Sequence, residues 1–304
     1  ISGLGYSMGY LGGGLLFLLN VLMASMPKKF GFPDAETAVR YAFLSVALWW
    51  GLFTIFTIIW IPEERRSATP TKEVGLIVGG FRQLMDTFKR IRHMKTVLLF
   101  LAAYWFYIDG VDTIIRMAVD YGMSIGFDSN DLIFALLITQ FVGFPSAIVF
   151  GKLGQRWSVR KSIYIAIGIY IFITLWGTMM TNKQEFYILA IIIGLVQGGI
   201  QALSRSYYSR LIPKERAAEF YGFYNMLGKF AAILGPVLMG MVGLMVRWIL
   251  MPTSPTPEQA IHVGQLASRC GIASIVLLFI IGAILFSLVD EEKGKAEAVR
   301  LSEA

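Results

Sequence analysis

The chain has 304 residues, of which 56% are hydrophobic and only 15% charged. Soluble domains are about 45–50% apolar and about 25% charged, so this composition points to hydrocarbon, not water, as the surrounding solvent. A single cysteine and two histidines, His93 and His262, exclude a disulfide framework, a thiolate metal cluster and a His-rich metal site, and no cofactor is implied.

A spanning helix needs roughly 20 mostly apolar residues. Eight runs qualify, at about 1–24, 40–61, 96–118, 131–151, 162–181, 185–206, 219–247 and 265–289. They predict an all-α, polytopic membrane helical bundle. Runs of this length without alternation are too long for barrel strands. The chain opens at Ile1 inside an apolar run, without the basic segment and small-residue cleavage site of a signal peptide. It reads as a chain cut at its front, with N-terminal helices missing.

The first run carries Gly5, Gly9 and Gly13 at every fourth position, a groove along which another helix backbone can approach closely. Asn20, near its outer end, reads as a helix contact. After the second run comes the longest loop, 62–95. It opens on PEERR (62–66) and a Ser/Thr/Pro stretch, then shows apolar residues at Ile77, Phe81, Leu84, Met85, Phe88 and Ile91. Between them stand Arg82, Gln83, Asp86, Lys89, Arg90 and His93, which predicts an amphipathic helix lying on the membrane surface. It reads as a tether between two halves, with a regulatory or lipid-sensing role as the alternative. The domain reading is therefore 1–61 as the last two spans of a first half, 62–95 as a cytoplasmic linker, 96–289 as a six-span second half and 290–304 as a cytoplasmic tail.

Charge fixes orientation. Most of the 27 Lys and Arg fall in 62–95, 152–161, 205–218 and 290–304, on one side of the predicted membrane. By the positive-inside rule that side is cytoplasmic. The net charge of +7 is then a topology signal, not a nucleic-acid footprint.

Ionisable groups inside a bilayer cost about 2.5–3.5 kcal/mol each on insertion scales and mark pathways or partners. Asp109 and Asp112 fall well inside the third run. At about 1.5 Å per residue they lie roughly 20 and 24 Å deep. Trp105, Asp109, Asp112 and Arg116 share one helix face. One reading is a structural Asp112–Arg116 pair. The other has Asp109 lining a transport path, binding a cationic group or a proton. Lys229 lies near the midplane of the seventh run, with Asn225 one turn earlier, and needs a carboxylate partner. Gln197 and Gln201 sit one turn apart on the sixth run. Gln197 reads as cavity lining, Gln201 as a helix bridge and Arg205 as a charge at the cytoplasmic interface. Gly235-Pro236 predicts a kink in the seventh run.

Several motifs carry a family resemblance. The glycines of the first run resemble the fifth-helix motif of major facilitator transporters, with Tyr10 where that family has Pro. The loop GKLGQRWSVRK (151–161), with Gly151, Arg156 and Arg160, resembles the superfamily's cytoplasmic signature, in which charges pair with neighbouring helix ends. Here Gln155 replaces the usual Asp and Ser158 the usual Gly. The stretches DGVDT (109–113), GLVQGGIQALSRS (194–206), IPKER (212–216) and FYGFYNMLGKF (220–230) resemble the vacuolar amino-acid effluxer branch and its bacterial relatives. The resemblance implies a major facilitator fold of twelve helices, of which eight are present here. It implies a secondary transporter of a small polar solute, with efflux of an amino acid or related small molecule as its finer form. A desolvated Asp109 would suit proton coupling, and the terse loops favour a bacterial inner membrane over a vacuolar one. The pathway residues are then expected to be Asp109, Asp112, Lys229, Gln197 and Asn225. A non-transporting receptor or scaffold is the alternative. A membrane enzyme is set aside, because neither histidine lies in a run and no acids have metal spacing.

Overall fold

The computed structural model describes residues 2–61 and 76–303, and the opening of the long loop, including PEERR, lies outside them. The described residues form helices α1 (Ser2–Ser25), α2 (Ala35–Trp60), α3 (Leu76–His93), α4 (Lys95–Ser124), α5 (Ser129–Arg156), α6 (Val159–Met179), α7 (Lys183–Tyr208), α8 (Ala217–Phe230), α9 (Leu234–Leu250), α10 (Pro257–Ser274), α11 (Val276–Ser287) and α12 (Glu291–Glu303). Among them are eight spans long and apolar enough to cross a membrane, α8 with α9 and α10 with α11 each counting as one. The predicted eight are thus all present.

Their ends move for local reasons. The second starts at Ala35, five residues early, because the Asp34 carboxylate accepts the Thr37 N–H at 2.8 Å and caps it. The eighth starts at Pro257, eight residues early, because Thr256 and Gln259 form a reciprocal capping box. That span also breaks at Ile275, where the Ile275 N–H turns to Ile272 and Leu278 to Ile275. Neither proline nor glycine occupies the break itself, so composition gave no signal for it.

The described residues fall into two compact units. Leu11–Gly80 holds most of α1, all of α2 and the start of α3. Here the Ser45 hydroxyl donates to Asn20 Oδ1 at 2.8 Å, so Asn20 does join two helices. On α2, Trp50, Phe53, Ile58 and Trp60 are all exposed. A helix this apolar on its outer surface is suited to lipid, not water.

The other unit takes the chain up to Tyr10 and from Phe81 on. Its centre is α4, whose Phe100, Tyr107, Val111 and Asp109 are fully buried. Phe279 of α11 fits against Gly110, where a Cβ would stand 2.8 Å from its ring. Gly282 in turn lies over Tyr107, 2.9 Å from its nitrogen by the same measure. Small residues let backbones approach where no water drives association. The α5–α7 pair meets the same way, with Gly194 against the Thr139 carbonyl and Gly198 against Ala147.

On the surface of this unit, α3 keeps Phe81, Met85 and Phe88 exposed while Ile91 is buried, with Lys89 near Asp86. The helical repeat expected for 77–91 is present, although the Ile77 side chain is not among those described. The tail forms α12, and Glu297 there accepts the Thr96 N–H at 3.2 Å at the start of α4.

Candidate functional site: a broken helix and a polar cavity

The seventh span is not merely kinked. Helix α8 ends at Phe230 and α9 begins at Leu234. Pro236 explains the break: its ring would clash with the Ala232 carbonyl and it has no N–H to offer that carbonyl. Two further donors are diverted. The Leu234 N–H donates to Asp109 Oδ2 at 2.9 Å and the Gly235 N–H to Asp109 Oδ1 at 2.7 Å. The carbonyls of Phe230, Ala231 and Ala232 therefore lose their ordinary helical donors to Asp109, Asp109 and Pro236 in turn. A carboxylate from another helix has capped α9, satisfying orphan N–H groups and lying at the positive end of the helix dipole.

Thr113 completes the arrangement, its hydroxyl donating to Asp109 Oδ1 at 3.2 Å. Gly235 makes it possible. A Cβ there would collide with Thr113 Oγ1 and stand 2.7 Å from Asp109 Oδ1.

The other expected pathway residues stand nearby in part. Asp112 is half-buried and lies within electrostatic range of Arg116, Asp109 and Lys229. Arg116 is exposed, and none of the ion pairs among the described residues joins it to Asp112. Lys229 and Asn225 are exposed on α8. Gln197 is 8% exposed, and its Oε1 is buried with no hydrogen-bond partner. Such an orphan acceptor is costly and calls for an explanation.

A cavity of about 610 Å³ lies between α1, α5 and α7. Tyr6 and Tyr10 of α1, Gln140 of α5, and Gln201 and Arg205 of α7 line it, with Ser2, Gly5 and Gly9 completing its wall. Two residues that the sequence reading left outside the pathway stand here. Gln201 faces this cavity, and so does Arg205. Positive-inside counting cannot separate an arginine at the membrane edge from one turned inward a helical turn beyond two glutamines. The Arg205 guanidinium lies over the Tyr221 ring at 4.8 Å and interacts with the Tyr6 hydroxyl. Sequence reasoning noted Tyr10 only as a departure from the glycine motif and did not single out Tyr6 or Gln140. For Tyr6 and Gln140 the only signal was position on helices that become neighbours.

The glycines of α1 divide. Gly5 and Gly9 open onto the cavity, with no atom within 4 Å of where a Cβ would lie, and Gly13 is exposed. Gly3 makes a close helix approach, since its Cβ would stand 2.9 Å from the Ala147 carbonyl and 3.4 Å from Gly151 Cα. In the loop signature, Gly151 thus serves packing, and Arg160 reaches the end of α11. Its Nη2 donates to the Ser287 carbonyl at 2.8 Å, with Phe286 beneath the guanidinium at 5.8 Å. Arg156 is exposed. Among the described residues no group of three or more His, Cys, Asp or Glu could hold a metal ion.

Sequence comparison agrees with this architecture. The family described as Vacuole effluxer Atg22 like matches residues 1–245. The chain belongs to that family. It is 36% identical over 293 residues to the uncharacterized MFS-type transporter YxiO of Bacillus subtilis (strain 168), covering 96% of this chain and 63% of that protein. It is 24% identical over 326 residues to autophagy-related protein 22 of Yarrowia lipolytica (strain CLIB 122 / E 150), covering 98% of this chain and 51% of that protein. With autophagy-related protein 22-2 of Aspergillus clavatus it shares 27% over 266 residues, 80% of this chain and 43% of the relative. The chain thus spans between 43% and 63% of the length of these relatives. This Atg22-like chain is an all-helical, multi-pass membrane protein of the major facilitator type.

Proposed function

We propose that the Atg22-like chain works within a secondary transporter that moves a small polar solute by alternating access. The observation that carries this reading is the broken seventh span, capped by Asp109 from α4. Discontinuous spanning helices, with half-helix ends turned toward polar groups, are a recurring device of ion and solute sites in carriers. Lys229 and Asn225 sit on the half-helix before the break, and Asp112 one turn along α4 from Asp109. Together with Gln197 they form the proposed pathway.

The finer reading is amino-acid efflux coupled to protons across a bacterial inner membrane. A proton on Asp109 would replace an acceptor lone pair by an O–H donor facing N–H groups. The cap would weaken, and α9 would be free to shift against α8. The relative's printed name as an MFS-type transporter and the family's description as effluxer-like support a carrier over a receptor or scaffold.

The test is tracer flux of labelled amino acids in liposomes containing the full-length natural protein, with and without an imposed pH gradient. Flux above empty liposomes that follows the gradient is expected. Asp109→Asn, which sets an amide donor against the same N–H groups, should cut that flux about tenfold or more, as loss of a charge-assisted contact does. Flux equal to empty liposomes would leave the receptor or scaffold reading. Parental flux in the variant would remove Asp109 from the pathway.

A further inference from the structure

We propose that the cavity between α1, α5 and α7 binds a small organic carboxylate with an apolar or aromatic body, and that Arg205 is the residue that grips the carboxylate. The site would serve the transport reading above, and its purpose rests on that reading.

Charge comes first. Arg205 is the one Lys or Arg among the residues lining the cavity, and Asp and Glu are absent from the lining. None of the ion pairs among the described residues uses Arg205. Its guanidinium lies over the Tyr221 ring at 4.8 Å, within electrostatic range of the Tyr6 hydroxyl. Arg205 stands in the last turn of α7, and the Asp112 carboxylate acts on the Tyr6 and Tyr10 hydroxyls from α4 without forming an ion pair with it; an arginine so placed faces water or a ligand. The guanidinium fork matches the two oxygens of a carboxylate, and it repels a ligand cation.

The walls set the rest of the ligand. About 610 Å³ lies within the range of small-molecule sites, about 300–1,000 Å³. Tyr10 is 8% exposed, and its ring is pressed against Gly143 and Gly198 from two helices. It makes a fixed aromatic wall at little entropic cost. Gly9 leaves bare backbone beside it, with open space where a side chain would stand. Gln140 and Gln201 add neutral donors and acceptors, which can orient a polar group without selecting a charge. Aromatic walls of this kind favour an organic acid over inorganic phosphate.

The full-length natural protein in detergent would be titrated calorimetrically with phenylacetate, phenethylamine, phenethyl alcohol and inorganic phosphate. Saturable binding of phenylacetate is expected, with the amine, the alcohol and phosphate about tenfold weaker or undetectable, as a charge-assisted bidentate contact requires. Arg205→Gln should weaken phenylacetate about tenfold or more, and Arg205→Lys should restore part of it. Gly9→Val leaves Arg205 untouched and fills the space beside Tyr10, and it should weaken phenylacetate as well. The proposal is overturned if the amine, the alcohol or phosphate binds as well as phenylacetate, or if Arg205→Gln binds like the parent. If Arg205→Gln does not fold, undiminished binding by Gly9→Val overturns it instead. Binding in detergent needs no transport. Arg205-dependent binding without flux would refute the transport reading and leave this site standing, and flux with no Arg205-dependent binding would do the reverse.

Discussion

The Asp109 carboxylate on α4 accepts the Gly235 N–H at 2.7 Å, across 126 residues of chain. That one contact joins the buried centre of the six-span unit to the first turn of α9. It depends on the smallest residue. Gly235→Ala would drive a methyl into Thr113 Oγ1 and against the carboxylate, whereas Gly240, on the same helix, has no atom within 4 Å of the same position. Alanine is otherwise the better helix former by about 0.8–1.0 kcal/mol. Gly240→Ala should therefore leave the protein as stable as the parent or slightly more so. Gly235→Ala should lose about 1–3 kcal/mol, the usual cost of leaving a buried polar group unpaired. Denaturant unfolding of both variants in mixed micelles checks the pair. Equal stability would mean that the carboxylate does not need this approach.

Arg160 supplies a second cross-helix contact. Its guanidinium donates to the Ser287 carbonyl at 2.8 Å and to the Phe286 carbonyl at 3.4 Å, at the end of α11. The Phe286 carbonyl also accepts the Val289 N–H at 3.2 Å, and a cation at this helix end complements the helix dipole. Arg160→Gln should cost about 1–2 kcal/mol, at the upper end of such helix-end effects because the site is partly buried. Arg160→Lys keeps the charge but not the forked geometry and should fall between. The same unfolding assay decides. A glutamine variant indistinguishable from the parent would assign the loop's basic charge to topology alone.

Much of this was legible in the residues. Eight apolar runs gave eight spans, because in hydrocarbon every backbone polar group must be met inside a helix and length alone is diagnostic. Gly235-Pro236 announced trouble in the seventh span, and Asp109 stood out as a buried acid. Their meeting could not be read, since it needs α4 and α9 side by side. The sequence pattern treats Asp109 as an acid awaiting a ligand, yet its oxygens already hold two N–H groups and a hydroxyl. Arg205 shows the opposite case. Its position near a helix end resembles every other positive-inside arginine, and only the cavity shows which way it turns. Gly5 and Gly9 have the spacing of a packing groove, and no described atom lies within 4 Å of where a Cβ would stand.

The start of α12 should respond to acid. Asp290 Oδ1 accepts the N–H groups of Glu292 at 3.1 Å and Lys293 at 3.2 Å. The Lys293 N–H holds its carboxyl below the usual carboxylate range. An acid depressed on folding contributes its stability above the unfolded pKa, about 3.9, and loses it as pH falls through the folded value. Amide protection in the first turn of α12 should therefore stay level above about pH 4 and fall below it. Asp290→Asn, which caps without titrating, should flatten that fall. Hydrogen exchange across this pH range compares the two, and identical profiles would show that Asp290 is not the titrating group.

Further along the same helix, Glu297 reaches the start of α4. Its carboxylate accepts the Thr96 N–H at 3.2 Å and the Thr96 hydroxyl at 3.3 Å. Thr96 lies in the first turn of α4, where N–H groups lack helical partners, and the helix's own N-cap, Met94, offers no side-chain acceptor. The tail therefore caps α4 in place of a local residue. Gly294 lets the two helices close up, since a Cβ there would press on Thr96 at 3.0 Å. Glu297→Ala removes the acceptor and should cost about 0.5–2 kcal/mol, the range for losing an N-cap. Thr96→Val keeps the N–H but loses the hydroxyl, so it should cost less. Because α4 also carries Asp109, exchange should quicken first at the amides of 95–99 and of α12, and only then at the break before α9. Faster exchange confined to α12 would show that the tail is fastened there without supporting α4.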